Sequence, residues 1–171
     1  MSADNIKRLF LVRHANAEQD SDVRDFERPL SRKGRNEAEE MAKRFLERGL
    51  SPDLILTSAA VRTRETADTF ARILSVPARL LQAEDSLYLA DGDHILAAIR
   101  GVGPRVANLL VIGHNPGISA AAISLAPETI SEDLATCGAV TMSVTCSKWG
   151  LIDRRGVRDA ERDAPKGGRF F

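Results

Sequence analysis

No apolar run in this chain approaches the roughly 20 residues needed to cross a bilayer, and the opening Met1-Ser2-Ala3-Asp4-Asn5 lacks the basic-then-apolar layout of a secretory signal. The expectation is a cytoplasmic protein without membrane association. Net charge is missing too: 24 Lys and Arg balance 24 Asp and Glu, so no global field favours nucleic acid or an anionic surface. Any anion must be met by a local cluster of charge. Cysteine is scarce, with only Cys137 and Cys146 and no metal-like spacing between them; in a reducing compartment both stay thiols. With 3 His and no Cys-x-x-Cys, a tight zinc site is not expected, and neither is a cofactor.

Several motifs are also missing. Gly101-Val102-Gly103 is followed by Pro104-Arg105-Val106, so the third glycine of a dinucleotide fingerprint is absent and the segment precedes a strand instead of following one. There is no Walker lysine motif and no Gly-x-Ser-x-Gly elbow for Ser-His-Asp hydrolysis. No internal repeat is visible.

What is present fits one ordinary domain. The 171 residues, 43% hydrophobic and 28% charged, suffice for a single core but not for two comfortable ones. Strand-like runs alternate with helical ones, the pattern of an α/β fold with a largely parallel sheet. The domain is expected over residues 1–150. Residues 151–171, rich in mixed charge and glycine without apolar period, read as a surface-hugging or mobile tail with Phe170 and Phe171 as its anchors.

A first strand is predicted over about Ile6 to Val12. Ala38, Met41, Ala42, Phe45 and Leu46 share one face of a helix beginning near Ser31 and ending at Gly49. Asp53 to Thr57 is a second strand, followed by Ser58 as N-cap of a helix that buries Ala67, Phe70, Ala71 and Leu74. A third strand is placed at Ala78 to Leu81, and a helix opened by Asp91 or Asp93 carries Ile95, Leu96 and Ile99. Val106 to Ile112 is the strongest core strand. Asn115-Pro116 then supplies an N-cap and a first-turn proline for a helix lined by Ile118, Ala121, Ala122 and Leu125. From Ala139 to Cys146 the period is two, the mark of a half-buried strand near a sheet edge.

The chemistry is concentrated where strands stop. The first strand delivers Arg13 and His14, and the core strand delivers His114. In open α/β sheets ligands gather beyond the carboxyl ends of the strands. Ser58 and Arg62 open a helix toward the same crevice, adding N-terminal amides and the positive end of a helix dipole. A guanidinium and an imidazole at a strand end suit a phosphoryl group.

Leu-Val-Arg-His-Ala-Asn-Ala, Thr-Ser-Ala-Ala-Val-Arg-Thr-Arg-Glu-Thr-Ala and Val-Ile-Gly-His-Asn-Pro occur here in that order. Together they resemble the histidine phosphatase superfamily, also called the phosphoglycerate mutase-like or Arg-His-Gly family, and within it the short SixA-type phosphohistidine phosphatases. Arg28-Pro29-Leu30-Ser31-x-x-Gly34 resembles that branch as well, and the similarity runs from about Lys7 to Trp149. The resemblance implies a three-layer α/β/α sandwich with a mostly parallel central sheet. It implies that His14 is the nucleophile and becomes phosphorylated while Arg13, Arg62 and His114 hold the phosphoryl oxygens, with no metal. Guanidinium forks and imidazole donors suit charge on equatorial oxygens. A neutral nitrogen of His14 must then face phosphorus, so its other nitrogen needs an acceptor such as a backbone carbonyl. Ala15 stands where the family signature often has glycine.

Ser58 and Asn16 border this predicted pocket, Ser58 as a cap first and Asn16 equally as a turn residue. Larger relatives bring a glutamate after the second motif. Here the candidates for general acid are Glu84 and Asp85, with Glu18 from the loop after His14 as a weaker one. A phosphohistidine leaves as imidazole, a better leaving group than an alkoxide, so a poorly marked acid favours P–N substrates. His94 reads as a solvated or capping residue and Arg64 as a salt-bridge partner. The predicted partner is a phosphorylated protein of a phosphorelay or phosphotransfer carrier. The alternatives are a small phosphate ester as substrate, or a phosphate-binding module without hydrolysis.

Overall fold

Residues 9–12 and 109–112 are apolar without interruption because their strands are covered on both faces. In the computed structural model, which describes residues 5–19 and 22–166, Leu9, Leu11, Leu109 and Val111 join one core cluster. Phe10, Val12, Leu110 and Ile112 join the other. The strands are β1 (Ile6–Arg13), β2 (Leu54–Ser58), β3 (Leu81–Glu84), β4 (Asn108–Gly113), β5 (Ala139–Thr145) and β6 (Val157–Asp163), and the helices α1 (Arg32–Glu47), α2 (Val61–Ile73), α3 (Gly92–Arg100) and α4 (Gly117–Leu125). The sheet order is β3-β2-β4-β1-β5-β6. β1, β2, β3 and β4 run parallel, and β5 and β6 complete the sheet antiparallel.

Helices α1 and α2 cover one face and α3 and α4 the other, giving the three-layer α/β/α sandwich. Across the first face Phe10, Phe45 and Phe70 meet edge to face at 5.5 and 5.2 Å, a geometry worth about 0.5–1.5 kcal/mol per pair beyond area burial. Ser31 caps α1 by accepting the Gly34 amide at 3.0 Å. Gly49, at φ 66°, ends that helix in the left-handed conformation that glycine adopts without steric cost. Asp91 caps α3 by accepting the His94 amide.

Five local expectations need correction. Ala78–Leu80 is a 3-10 turn and the third strand starts only at Leu81, because Pro77 sets a turn before the chain can reach the sheet. Leu46 is 56% exposed, one position beyond the stripe that α1 buries. Ser58 is the last residue of β2, and the N-cap of α2 is Ala60. The N-cap of α4 is Pro116, without a side-chain cap; Asn115 instead accepts a hydrogen bond from the Ser119 hydroxyl.

The fifth correction concerns the C-terminal segment. Residues 157–163 form β6 along β5, with a register shift at Ser143/Val144. An edge strand pairs through its backbone, so it needs no apolar period, and charge on it discourages pairing with other chains. Arg44 Nη1 meets Asp163 Oδ1 at 2.6 Å and the Ala164 carbonyl at 2.8 Å, while Arg48 pairs with Glu161. Phe170 and Phe171 lie outside the described residues.

Candidate active site

β1 and β4 are parallel neighbours with Arg13 opposite Gly113, so the residues that follow, His14 and His114, emerge side by side. Their rings stand 5.2 Å apart at 60°. Thr57 lies opposite Ile112, which puts Ser58 on the far side of His114, and the first turn of α2 swings Arg62 over the gap. The structure thus brings together Arg13, His14, Ser58, Arg62 and His114.

The His14 backbone is fixed on both sides, its amide donating to the Gly113 carbonyl and its carbonyl accepting from the Cys137 amide. The imidazole Nδ1 lies 2.7 Å from the Ala15 carbonyl. A carbonyl only accepts, so Nδ1 carries the ring proton and Nε2 presents its lone pair. Arg62 Nε donates toward that nitrogen at 3.4 Å. Burial, followed by the nearby guanidinium charges and opposed by the Ala15 hydrogen bond, lowers the His14 pKa from 6.5 to about 4. The ring is neutral at neutral pH.

Arg62 is 3% exposed. Its Nε and Nη2 edge faces the two histidines, with Nη2 donating to His114 Nδ1 at 3.3 Å. The end of the guanidinium is held by Asp25: Nη1 donates to its carbonyl at 2.6 Å and Nη2 to its Oδ2 at 3.0 Å. Tyr88 donates to the same Oδ2 at 2.6 Å, and Arg28 Nη2 to Oδ1 at 2.8 Å. These bonds, Tyr88 foremost, hold the Asp25 carboxyl well below the usual carboxylate range. Asp25 is therefore a fixed anion that aims Arg62. The Tyr88 hydroxyl is in turn pushed up by Asp25, and its ring packs edge-on against His114 at 5.5 Å and Phe26 at 5.0 Å.

His114 is 2% exposed, with Nε2 at 2.8 Å from Ser58 Oγ. Burial first, then the charges of its neighbours, lowers its pKa to about 3. Arg13 donates through Nη1 to the Leu134 carbonyl at 3.0 Å. Its Nε is buried and has no hydrogen-bond partner among the described residues, and burial lowers its pKa. An orphaned cationic donor beside two neutral imidazoles is suited to an oxyanion.

The loop after His14 is braced from several directions. Ala15 is fully buried against the α1/α2 core, and its amide donates to Thr66 Oγ1. Asn16 donates its amide to Glu37 Oε2 at 2.9 Å and accepts from Ser31 Oγ at 2.7 Å. Any side chain at Gly34 would meet the Asn16 carbonyl at 1.9 Å, so the glycine lets α1 close on this loop. The Asn16 side-chain oxygen is engaged in bracing.

The candidate acids stand apart from this network. Glu84 ends β3 in register with Ser58, and Asp85 starts a 3-10 turn whose carbonyl accepts the Tyr88 amide. Both are exposed, and no hydrogen bond links either carboxylate, or that of Glu18, to the histidines or Arg62 among the described residues. Glu18 is engaged through its backbone, its carbonyl accepting from Arg28 and its amide donating to the Pro29 carbonyl. His94 pairs with Asp91 at the start of α3. Arg64 is exposed and makes no ion pair among the described residues.

Asp25, Tyr88 and Glu37 were not anticipated as parts of the site. Asp25 precedes Arg28 by three residues and pairs with it, a spacing visible beside the Arg-Pro-Leu-Ser segment. Tyr88 is the only tyrosine in the chain. Among the described residues, no group of three or more His, Cys, Asp or Glu could hold a metal ion, and no helix is long and apolar enough to cross a membrane.

Known proteins resemble this chain in sequence and in fold. Residues 9–83 match the model of the histidine phosphatase superfamily (branch 1). An uncharacterised protein of Mycobacterium tuberculosis is 34% identical over 152 residues, covering 83% of this chain and 92% of that one. A solved structure from Agrobacterium tumefaciens, provisionally named phosphohistidine phosphatase SixA, superimposes with a TM-score of 0.79 at 28% identity over 93% of this chain and 98% of that one. Another of the same provisional name, from Nakamurella multipartitia, gives 0.81 at 25% identity over 94% and 97%. With these relatives, the chain belongs to the histidine phosphatase superfamily and is similar to its SixA proteins.

Proposed function

We propose that the chain is a phosphatase that works through a phosphorylated His14 and acts on phosphohistidine in a cytoplasmic phosphorelay or phosphotransfer protein. The observation that carries this reading is the His14 ring: Nδ1 is tied to the Ala15 carbonyl at 2.7 Å, leaving Nε2 unprotonated under the Arg62 fork. Nε2 attacks phosphorus in line, the bond from phosphorus to the leaving nitrogen breaks, and the leaving imidazole takes a proton from water. Arg13 and Arg62 neutralise the equatorial oxygens. Water then attacks phospho-His14 and releases phosphate.

Two features support a P–N substrate over an ester. Asp25, the carboxylate in contact with Arg62, is held ionised by Tyr88, Arg28 and Arg62, so it has no proton to give. Glu84 and Asp85 make no hydrogen bond to the histidines among the described residues. An imidazole leaving group needs acid assistance less than an alkoxide does.

The test compares wild type and His14→Ala on a phosphohistidine protein and on a phosphate monoester, with and without chelator, while trapping the acid-labile phosphoenzyme. Wild type is expected to form it and turn over the phosphohistidine protein faster, undisturbed by chelator, while His14→Ala falls to background. Preference for the monoester would reassign the substrate. Phosphate binding without any phosphoenzyme would make the chain a recognition module.

A further inference from the structure

Ser58 is fully buried at the end of β2 and is engaged by groups that restrict what its hydroxyl can do. Oγ accepts the Ala60 amide at 3.2 Å and lies 2.8 Å from His114 Nε2. At the other side of the same ring, Arg62 Nη2 stands 3.3 Å from Nδ1. A guanidinium has no acceptor, so with Arg62 as its neighbour Nδ1 must accept. The ring proton is then on Nε2 and is donated to Ser58.

A phosphoryl group between His14 and Arg62 reverses that demand. Its oxygens accept hydrogen bonds, and Nδ1 is the His114 nitrogen on that side, since Nε2 is occupied by Ser58. Nδ1 must become a donor, either by making the ring an imidazolium or by moving its single proton from one nitrogen to the other. A hydroxyl is among the few side-chain groups that can serve both arrangements, because it accepts or donates after a rotation about one bond. A carboxylate or carbonyl in its place would only accept, and an ammonium would only donate.

We propose that Ser58 is a positioning residue that lets His114 exchange tautomers, accepting from Nε2–H when Arg62 faces Nδ1 and donating to Nε2 when a phosphoryl oxygen takes the proton carried on Nδ1. The exchange conserves protons. Nδ1 gains one from water, Nε2 returns one to water, and the hydroxyl keeps its own while rotating. The ring thus offers the phosphoryl oxygen a donor without adding a third cation to Arg13 and Arg62 beside the attacking His14.

This inference rests on reading the pocket as a phosphoryl site, and nitrogen-15 NMR of the imidazoles separates the two claims. With 3 His in the chain, the ring signals are assigned with histidine variants, and spectra are taken with and without orthovanadate. The expected result is His114 as the neutral Nε2–H form before addition and the neutral Nδ1–H form after it. A doubly protonated His114 with vanadate, or one tautomer throughout, overturns the role of Ser58 and leaves the phosphatase reading intact. Vanadate that shifts neither His14 nor His114 overturns both. Ser58→Ala is expected to weaken vanadate binding about tenfold, the scale of one lost buried hydrogen bond, with Ser58→Cys intermediate. A Ser58→Ala protein that binds vanadate as wild type does, with the same His114 tautomer, also overturns the proposal.

Discussion

At the floor of the pocket, His14, Ser58 and His114 stand at strand ends and are locked by backbone pairing. At its rim, Asp25, Arg28 and Tyr88 are held by hydrogen bonds between side chains that come from a 3-10 turn and two loops. Ser58 and His114 are buried and His14 is half-buried, while the Asp25 side chain is 47% exposed. Both meet at Arg62, whose inner edge faces the histidines and whose outer end is gripped by Asp25. Under the proposed function the difference becomes a division of labour: the floor would supply the reacting atom, and the rim would set the direction of the charge that steadies the transferred group.

Substitution at the shared residue should have the largest effect. Arg62→Lys keeps the charge but loses the fork, so it can serve neither both histidines nor both Asp25 acceptors; kcat is expected to fall by roughly 10²–10³, the scale of losing one preorganised donor to a transition-state oxyanion. A smaller loss would mean that Arg13 alone carries the charge. Asp25→Asn tests the rim by itself. It retains the shape and the backbone carbonyl bond but weakens the charged contact, and kcat is expected to drop about tenfold with the melting temperature little changed. If Asp25→Asn is as damaging as Arg62→Lys, the rim is part of the chemistry and the division fails.

The smallest effect is expected from pH, and there the floor should differ from an ordinary histidine. The His14 pKa is lowered from 6.5 to about 4, so the neutral, attacking form persists through mild acid. With an acid-stable phosphate monoester, kcat/KM should hold between pH 7 and 5 and bend near about 4. A bend at 6.5 would show a solvated ring. Stability should already decline in the range where activity holds. Below about 6.5 the unfolded chain protonates its histidines while folded His14 and His114 stay neutral, so unfolding becomes easier as pH falls toward 4. Thermal melts across this range check the sign.

The floor was legible in the sequence because doubly covered strands leave long apolar runs, and a charged residue ending such a run has few places to go. Arg13-His14 and Gly113-His114 are of that kind. The rim was illegible because its residues owe their roles to contacts distant in sequence: Tyr88 reaches Asp25 across 63 positions, and no local period records that. In the sequence, Asp25 carries no signal that separates it from the other acids of its loop. β6 was missed for a related reason, since an edge strand announces itself through backbone pairing and its charges resemble those of a tail. The position of a glutamate in larger relatives points to Glu84 and Asp85 as general acids. The structure turns attention to Asp25, which serves as an orienting anion.

The main chain of His14 is a rung of the sheet ladder on one side and tied to Cys137 on the other. In the proposed reaction, a residue anchored in this way has little freedom to follow the phosphorus as it is handed over and taken back. Motion along the reaction coordinate therefore belongs to the migrating group and to the incoming water. The proposed cycle can turn over without the fold having to breathe at its centre.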